Sequence, residues 1–485
     1  MFKKNYFTFQ KILELRYFKY LVLAIFILFA FYLLFYNLGT YPLENWDEAW
    51  YGQITREMLS THNFIVLHHN NMVWLDKPPL QFWINGIFSL FLGLNAFSVR
   101  LISALSALIL IILVSVYTYK RYYLLPSFLA FGTLILNNVF IYRARSGDLD
   151  LLASLLIFLS YIILISKNKY KYPLLGLDLA LIYMQRASLV AFPLVILLFY
   201  EIIFNRKNFR KNLKEYGKLI LIFVLTCGSW LFLGYLQDGK EFINYFVFTS
   251  DRGVAGIHSF NPIYISYVYY MLQRRFFYLL LIGFIFALKN IKRPEYFLLI
   301  LYSCLLLIQL SFSYRSDNWY LAPSMPFWSI LIAYGAYSLI CLFKKIKYLQ
   351  FTFVIILLIA SSYIFYKTYK INITPILGPN YVIKQAQSAV VLNKLTNKND
   401  IVVRLDFFFP TTAFYSQRTT ISSPDGWPTW EDWLSRSDLM TEIKQNKIKW
   451  FVGKNSDVVQ FEKELGSIKY KTIKVNDEES IVKVL

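Results

Sequence analysis

The sequence has few charged residues and almost no cysteine. Only 16% of its 485 residues are Asp, Glu, Lys or Arg, whereas about 25% is usual in a soluble domain. Its 3 cysteines, Cys227, Cys304 and Cys341, all lie in apolar runs, which excludes a disulfide framework and favours a packing role. Hydrophobic residues make up 57% of the chain, more than one soluble core would hold. This composition excludes soluble, disordered and collagen-like proteins and indicates a membrane protein.

Long apolar runs predict the membrane spans. The run at 20–35 approaches the length of about 20 residues that one bilayer crossing needs, and no small-residue cleavage site follows it. We therefore interpret it as a retained first span. A break near Gln185-Arg186 is needed to keep the later spans in alternation. Eleven spans are expected in all, the other ten near 98–118, 124–142, 150–166, 173–185, 187–204, 218–236, 263–288, 294–314, 320–343 and 350–369.

The charge distribution predicts the orientation of these spans. The formal net charge is +21, and the basic residues cluster in short runs between apolar stretches, which is typical of cytoplasmic loops rather than of a nucleic-acid surface. Acidic residues gather in the alternate loops. We therefore expect a multi-pass protein of a bacterial cytoplasmic (inner) membrane with a cytoplasmic N-terminus. Membrane lipids are expected partners and nucleic acid is not.

The end of the chain has a different character. Residues 371–485 contain short β-branched runs, which predict strands, separated by helical patterning. We expect a small α/β domain here, extracytoplasmic because the number of spans is odd, after a polytopic α-helical membrane domain at 1–370. Its Trp427, Trp430 and Trp433 would either pack the domain onto the membrane or the outer loops, or present an acceptor. The predicted strands are 401–405, 449–452 and 481–484.

The first outer loop, residues 40–97, is amphipathic. Apolar and polar residues alternate over 47–60, which predicts an interfacial helix. Pro78-Pro79 favours the start of a second helix, or of a span, over 82–92. Charged and aromatic side chains at membrane level are costly unless they build a cavity. The loop is therefore the first place to look for a functional site.

Short motifs follow one another between residues 40 and 330. They are Asp47-Glu48-Ala49-Trp50-Tyr51, Arg56-Glu57-Met58, Asp76-Lys77-Pro78-Pro79, Trp83-Ile84-Asn85, Asn95 to Arg100, Gly147-Asp148-Leu149-Asp150-Leu151, Arg252 with His258, and Trp319 to Pro326. In order and position they resemble the motifs of GT-C glycosyltransferases, most closely the aminoarabinose transferase and protein O-mannosyltransferase group. The resemblance implies a GT-C membrane fold with outer juxtamembrane helices. It does not extend to the C-terminal domain.

The resemblance also implies an activity. In that family a sugar passes, with inversion, from a polyprenyl-phosphate donor to a hydroxyl acceptor on a lipid such as lipid A, a glycan or a protein, at the outer face of the membrane. A transporter or flippase of a lipid-linked saccharide, and a polysaccharide polymerase or ligase, remain alternatives. A transporter usually places polar groups at mid-membrane on interrupted helices, whereas the acidic residues here lie at the outer ends of the spans.

The resemblance assigns catalytic roles to three carboxylates. Asp47 would be the general base for the acceptor hydroxyl, although Asp is also a good N-cap for the helix that follows. Glu48 would support the base or bind the acceptor, or simply interact with the helix dipole. Asp150 would orient a substrate, or it would be the N-cap of the fourth span, and Asp148 competes with it for the substrate role.

Further residues are expected to bind the donor. Lys77 would place a point charge on the phosphate, or it would be an interfacial lysine that extends to the membrane surface. Tyr51, Tyr320 and Arg252 are the other donor-binding candidates, and Arg186 is a further candidate for phosphate or lipid.

A divalent metal ion is the one cofactor that the resemblance suggests. Asp76 and His258 would supply an oxygen and a nitrogen ligand. His68 and His69 are alternative ligands.

Overall fold

The structure is a computed structural model of the chain, and its contacts divide the chain into two compact units. The first unit comprises residues 1–38, 75–81 and 100–379, and the second comprises 39–74, 82–99 and 380–485. The structure describes residues 16–206, 210, 212–249, 260–272, 274–313, 317–342, 347–377, 383–423 and 434–485.

Helices dominate both the first unit and the outer loop. Short 3₁₀ turns precede two of them, at Ala187–Val190 and Asn318–Ser324, and π-helical turns occupy Val224–Gly228, Asn244–Thr249 and Tyr369–Ile373. The described α-helices are α1 (Arg16–Phe35), α2 (Asp47–Thr61), α3 (Leu80–Leu92), α4 (Ala96–Tyr122), α5 (Leu124–Ile135), α6 (Asn138–Ala144), α7 (Asp150–Ile165), α8 (Lys171–Gln185), α9 (Ala191–Phe204), α10 (Leu213–Phe223), α11 (Ser229–Ile243), α12 (Ile263–Met271), α13 (Arg275–Lys289), α14 (Pro294–Ser311), α15 (Met325–Leu342), α16 (Lys347–Thr368), α17 (Thr374–Leu377), α18 (Lys384–Leu395), α19 (Pro410–Ser416), α20 (Arg436–Lys444) and α21 (Asn455–Leu465).

Every predicted span overlaps helical structure in the first unit. Five helical stretches among the described residues are long and apolar enough to cross a membrane, or up to seven if two bent pairs each count as one span. An all-helical, multi-pass first unit is therefore confirmed, while the total of eleven crossings stays a prediction. The break predicted near Gln185 is present, because α8 ends at Gln185 and Arg186 is extended.

Three predicted spans differ from the structure. The span at 124–142 is broken into α5 and α6, which are bent by 66°, because the side chain of Asn137 accepts the Phe140 N–H at 3.0 Å and starts a new helix. The span at 263–288 is likewise a bent pair, at 109°. The helical stretch around the predicted span at 218–236 runs over Leu213–Phe248 and is interrupted at Gly239, where φ is 70°.

The second unit contains a five-stranded sheet and a small hairpin. The sheet has the order β4-β3-β5-β7-β6, with β4, β3 and β5 parallel and β7 and β6 antiparallel. Val403 lies opposite Phe451 in the register, and both are fully buried in the core beneath α20 and α21. The strands are β1 (His68–His69), β2 (Met72–Val73), β3 (Val402–Arg404), β4 (Thr420–Ser422), β5 (Trp450–Lys454), β6 (Tyr470–Lys474) and β7 (Glu479–Val484).

The C-terminal α/β domain is therefore confirmed as a fold. The three predicted strands are present as β3, β5 and β7, while β4 and β6 were missed. The first outer loop, which the sequence placed within the membrane domain, shares a compact unit with this sheet except for residues 75–81. Leu43, Ala49, Val99 and Phe414 form one buried apolar cluster, and this cluster holds the loop on the domain. The membrane boundary near residue 370 and the outer location of the domain stay predictions.

Candidate active site

In the first unit, two aspartates share one buried arginine. The Nε of Arg143, at the end of α6, lies 2.7 Å from Asp150 Oδ2 and 2.9 Å from Asp148 Oδ2. The Asp150 N–H also donates to Asp148 Oδ1 at 3.2 Å. Leu149 is the N-cap of α7 and Asp150 is its first residue, so the alternative role of Asp150 as an N-cap is wrong. Since all three charged side chains are buried, the guanidinium compensates part of the charge of each carboxylate.

The segment that follows the Asp76-Lys77-Pro78-Pro79 motif contacts the acidic loop, residues 147–150, which carries Asp148 and Asp150. Gln81 Nε2 donates to the carbonyl of Asp148 at 3.1 Å. Gln185, at the end of α8, donates both to Gln81 Oε1 at 3.0 Å and to the carbonyl of Leu149 at 2.9 Å. Ser103 Oγ donates to the Asp148 carbonyl at 3.0 Å. These buried bonds hold the acidic loop against the start of α3.

A third motif covers the arginines. The guanidinium of Arg143 lies 5.0 Å from the ring centre of Trp319, and that of Arg186 lies 4.9 Å from the ring centre of Tyr320. Arg186 Nη1 is 3.7 Å from Asp150 Oδ1. Aromatic faces attract such cations. Segments that are far apart in the sequence, around residues 81, 148–150 and 319–320, therefore meet in one polar cluster.

Lys77 lies in the same segment as Gln81 and forms an ion pair. Its Nζ is 3.1 Å from Asp76 Oδ2, and its side chain is only 13% exposed, against 52% for Asp76. The Tyr245 hydroxyl donates to Asp76 Oδ1 at 3.3 Å. A lysine that is largely buried and held by a neighbouring acid is a more defined cation than an interfacial lysine extending into water.

In the second unit, α2 begins at Asp47 and Glu48, and the two carboxylates differ in environment. Asp47 is exposed, whereas Glu48 is buried, and Glu48 Oε2 accepts the backbone N–H of Glu44 at 2.7 Å. The N-cap is Trp46, with φ of 72° and no side-chain cap. The alternative role of Asp47 as an N-cap is therefore wrong. Glu48 shapes the turn before the helix, and Asp47 interacts favourably with the helix dipole.

Tyr51 is buried one turn further along α2. Its ring packs edge-on against Phe82, with ring centres 5.5 Å apart, and near Trp74 at 6.3 Å. This packing fixes the ring within the second unit.

The remaining predicted site residues lie outside the described residues. These are Arg252 and His258, together with the three tryptophans of the C-terminal domain. Among the residues that the structure describes, no group of three or more His, Cys, Asp and Glu side chains could hold a metal ion. A metal at Asp76 and His258 stays a prediction.

Sequence reasoning missed Arg143, Gln81 and Gln185. One signal for Arg143 was available, because an arginine directly after an apolar run, seven residues before Asp150, is costly at membrane level without an acidic partner. No comparable signal exists for the two glutamines, since their contacts join segments distant in sequence.

Comparison with protein families and curated proteins gives consistent relatives. Residues 76–230 match the family model described as dolichyl-phosphate-mannose-protein mannosyltransferase. An uncharacterized protein of Aquifex aeolicus is 24% identical over 80% of this chain and 85% of its own length. The undecaprenyl phosphate-alpha-4-amino-4-deoxy-L-arabinose arabinosyl transferase of Aeromonas hydrophila is 29% identical over 46% of this chain, and the match spans 42% of that protein.

Solved structures show the same fold. The crystal structure of ArnT from Cupriavidus metallidurans in the apo state superposes with a TM-score of 0.76 at 13% identity, covering 95% of this chain and 97% of that one. The archaeal oligosaccharyltransferase AglB from Archaeoglobus fulgidus, in complex with an inhibitory peptide and a dolichol-phosphate, superposes with a TM-score of 0.57 at 11% identity, covering 90% and 70%. The chain therefore has the GT-C fold, and it is similar to aminoarabinose transferases and to protein mannosyltransferases.

Proposed function

We propose that the protein transfers a sugar, with inversion, from a polyprenyl-phosphate donor to a hydroxyl acceptor at the outer face of a bacterial cytoplasmic membrane. The observation that carries this proposal is the meeting of two motifs, around residues 148–150 and 319–320, with the segment at Gln81 in the polar cluster around Arg143, Asp150 and Arg186. Cations and hydrogen-bond donors held in place by buried partners suit a phosphate leaving group.

Two relatives support the class of donor. A second structure of the Cupriavidus metallidurans ArnT, also with a TM-score of 0.76, is described as bound to undecaprenyl phosphate. The Aeromonas hydrophila relative is named for an undecaprenyl-phosphate-linked aminodeoxyarabinose. We therefore infer a polyprenyl-phosphate-linked donor for this chain, with no particular sugar or acceptor assigned.

The reaction exchanges one bond at the anomeric carbon for another and moves one proton. The acceptor oxygen attacks the anomeric carbon from the face opposite the phosphate, its proton passes to Asp47 as general base, and the bond from the anomeric carbon to the phosphate oxygen breaks. The donor is a phosphodiester with one negative charge, and the polyprenyl phosphate that leaves is a monoester with nearly two. Cations that face the phosphate therefore stabilise the transition state more than the bound donor.

The residues of the first unit divide this task. Lys77 supplies a point charge, with Asp76 holding its amine. Arg186 carries a second positive charge, and Tyr320 covers it with its ring. Asp150 orients Arg186 at 3.7 Å while Arg143 compensates the charge of Asp150. In this scheme Tyr320 contributes a hydroxyl donor, while the donor-binding roles of Tyr51, which lies in the second unit, and of Arg252 stay predictions.

Lys77→Ala tests the phosphate site. The assay measures polyprenyl phosphate released from a radiolabelled donor. The wild-type protein should release it only when the acceptor is present, whereas a flippase would release none. Lys77→Ala should lower kcat/KM for the donor about 10²-fold, because it removes a cation aimed at growing charge. Lys77→Arg should recover part of the loss, since a planar fork does not replace a compact ammonium.

The control is Lys289→Ala. Lys289 ends α13, with its amine 5.3 Å from the ring centre of Phe286, so it represents a lysine with no phosphate to bind and should leave the rate unchanged. An effect of Lys77→Ala confined to the acceptor KM would remove Lys77 from the phosphate site.

The proposed topology predicts which positions share one side of the membrane. In a background lacking the 3 native cysteines, single cysteines at the exposed residues Met72, Lys169 and Ser456 should react differently with an impermeant thiol reagent in intact spheroplasts. We expect Met72→Cys and Ser456→Cys to be labelled and Lys169→Cys only after lysis. Labelling of Lys169→Cys in intact spheroplasts would contradict the orientation.

A further inference from the structure

Helix α2, which begins at Asp47, is bound through its third turn to the C-terminal domain. The guanidinium of Arg56 donates to the backbone carbonyl of Phe414 on α19 and lies 4.3 Å from the centre of the Phe414 ring. The same Nη1 donates to Gln53 Oε1 at 2.9 Å. Burial lowers the pKa of Arg56 to about 10, so the side chain stays charged at neutral pH. One planar cation thus holds a carbonyl and a ring of α19 at once.

The fit between α2 and α19 leaves no spare room. A Cβ added to Gly52 would lie 2.8 Å from Phe414 Cε2 and 3.0 Å from Leu43 Cδ1. The two helices therefore approach closely, and only glycine permits this distance. Because packed side chains have two or a few discrete arrangements rather than a continuous range, this contact defines one position of α2.

The rest of the outer loop is bound to the same domain by polar links. Asn70 donates to the carbonyl of Thr420 at 2.7 Å and accepts the Thr420 N–H at 3.2 Å, which extends the pairing of β4 by one side chain. The Leu43 N–H donates to the Tyr415 hydroxyl at 2.7 Å. Other links join Thr411 to Asn45, Thr419 to Asn71, and Phe408 to Trp50 and His69.

The Arg56-Glu57-Met58 motif accounts for much of this organisation. Glu57 accepts the backbone N–H groups of Asn70 and Asn71, at 2.8 and 3.0 Å, at the turn of the β1–β2 hairpin. Met58 Cε would lie 2.8 Å from a Cβ on Gly86 of α3. Two of the three side chains therefore organise the loop itself, and Arg56 joins it to the C-terminal domain.

We propose that the C-terminal domain positions α2. Arg56 is the positioning residue through which α19 determines the position of Asp47. This inference rests on the proposed role of Asp47 as general base. Asp47 lies about 13 Å along the helix axis from Arg56, at about 1.5 Å per residue. A tilt of about 5° at Arg56 would move Asp47 by about 1 Å, a displacement that can cost about 10²-fold in rate. The C-terminal domain is on this view an integral part of the catalytic apparatus.

Three variants of the full-length protein test the proposal. Arg56→Ala should lower kcat about 10- to 100-fold with the donor KM within about two-fold. Arg56→Lys should recover part of kcat, because an ammonium donates to the Phe414 carbonyl but does not stack on the ring. The matched control is Arg418→Ala. Arg418 is also buried and donates to the carbonyls of Asn393 and Thr396 at 3.2 and 2.8 Å, away from α2.

Hydrogen exchange provides a readout that needs no substrate. Arg56→Ala should speed exchange of the amides at 47–61 at least ten-fold, while Arg418→Ala leaves them unchanged. This pattern, together with the kcat effect, supports the proposal. Equal kcat losses in both variants, in proportion to their melting temperatures, would overturn it in favour of general destabilisation, and unchanged exchange at 47–61 in Arg56→Ala and Arg56→Lys would overturn it outright. A wild-type protein without transferase activity would refute the proposed function, yet the exchange experiment would still decide whether Arg56 positions α2.

Discussion

Asp47→Asn is expected to lower the rate of sugar transfer by about 10² to 10⁴ fold, the usual loss when a general base is removed. The amide keeps the shape of the side chain but does not take up the acceptor proton. Asp47 is exposed at the first position of α2, so the substitution leaves the core intact. Donor binding, measured by equilibrium binding of polyprenyl phosphate, should stay within about two-fold of wild type.

The control for this variant is Asp457→Asn. Asp457 also lies in the first turn of its helix, α21, where interaction with the helix dipole contributes about 0.3 to 1 kcal/mol. Both variants should therefore show a similar small loss of thermal stability, and only Asp47→Asn should lose activity. Normal transfer by Asp47→Asn at normal expression would show that another group takes the proton.

Arg143→Met is expected to destabilise the first unit by about 3 kcal/mol or more. It leaves Asp148 and Asp150 buried without the guanidinium that both contact. Removing one partner of a buried ion pair typically costs about 3 to 5 kcal/mol. Arg186, 3.7 Å from Asp150, keeps part of the compensation. Thermal unfolding in detergent measures the loss.

A double variant separates charge from packing. Arg143→Met combined with Asp150→Asn removes one of the two buried charges that lost the Arg143 guanidinium, so it should be more stable than Arg143→Met alone while transfer stays low. Asp150→Asn by itself should be milder, because Arg143 keeps Asp148 as a partner. A double variant no more stable than Arg143→Met would show that Arg143 stabilises this region by packing and not by compensating the charges of Asp148 and Asp150.

Much of the fold follows from local sequence patterns. An apolar run long enough to cross a membrane forms a helix, because no other local structure satisfies its backbone without water. The alternation of apolar and polar residues over 47–60 predicted α2 to within one residue at each end. The β-branched runs that became β3, β5 and β7 are the interior strands of the sheet, where burial on both sides makes the apolar pattern strong.

The elements that the sequence analysis missed are those whose conformation depends on neighbouring segments. β4 and β6 are the two edge strands of the sheet, and β6 has exposed, polar side chains along most of its length. Such segments carry no apolar pattern, so pairing with β3 and β7 makes them strands. The bend between α5 and α6 had a local signal in Asn137, but an apolar run on both sides of it concealed the break.

The candidate site shows the same division between sequence and tertiary structure. The sequence by itself determined which motifs carry carboxylates and cations, since resemblance depends on local order along the chain. Only the tertiary structure decided that Arg143 serves both Asp148 and Asp150, that Gln81 and Gln185 hold the acidic loop, and that the first outer loop is built onto the C-terminal domain. The physical reason is that a hydrogen bond or ion pair between residues such as Arg56 and Phe414, separated by most of the chain, leaves no periodic trace in either segment. It depends on a distance of a few ångströms, and that distance exists only after the helices have packed.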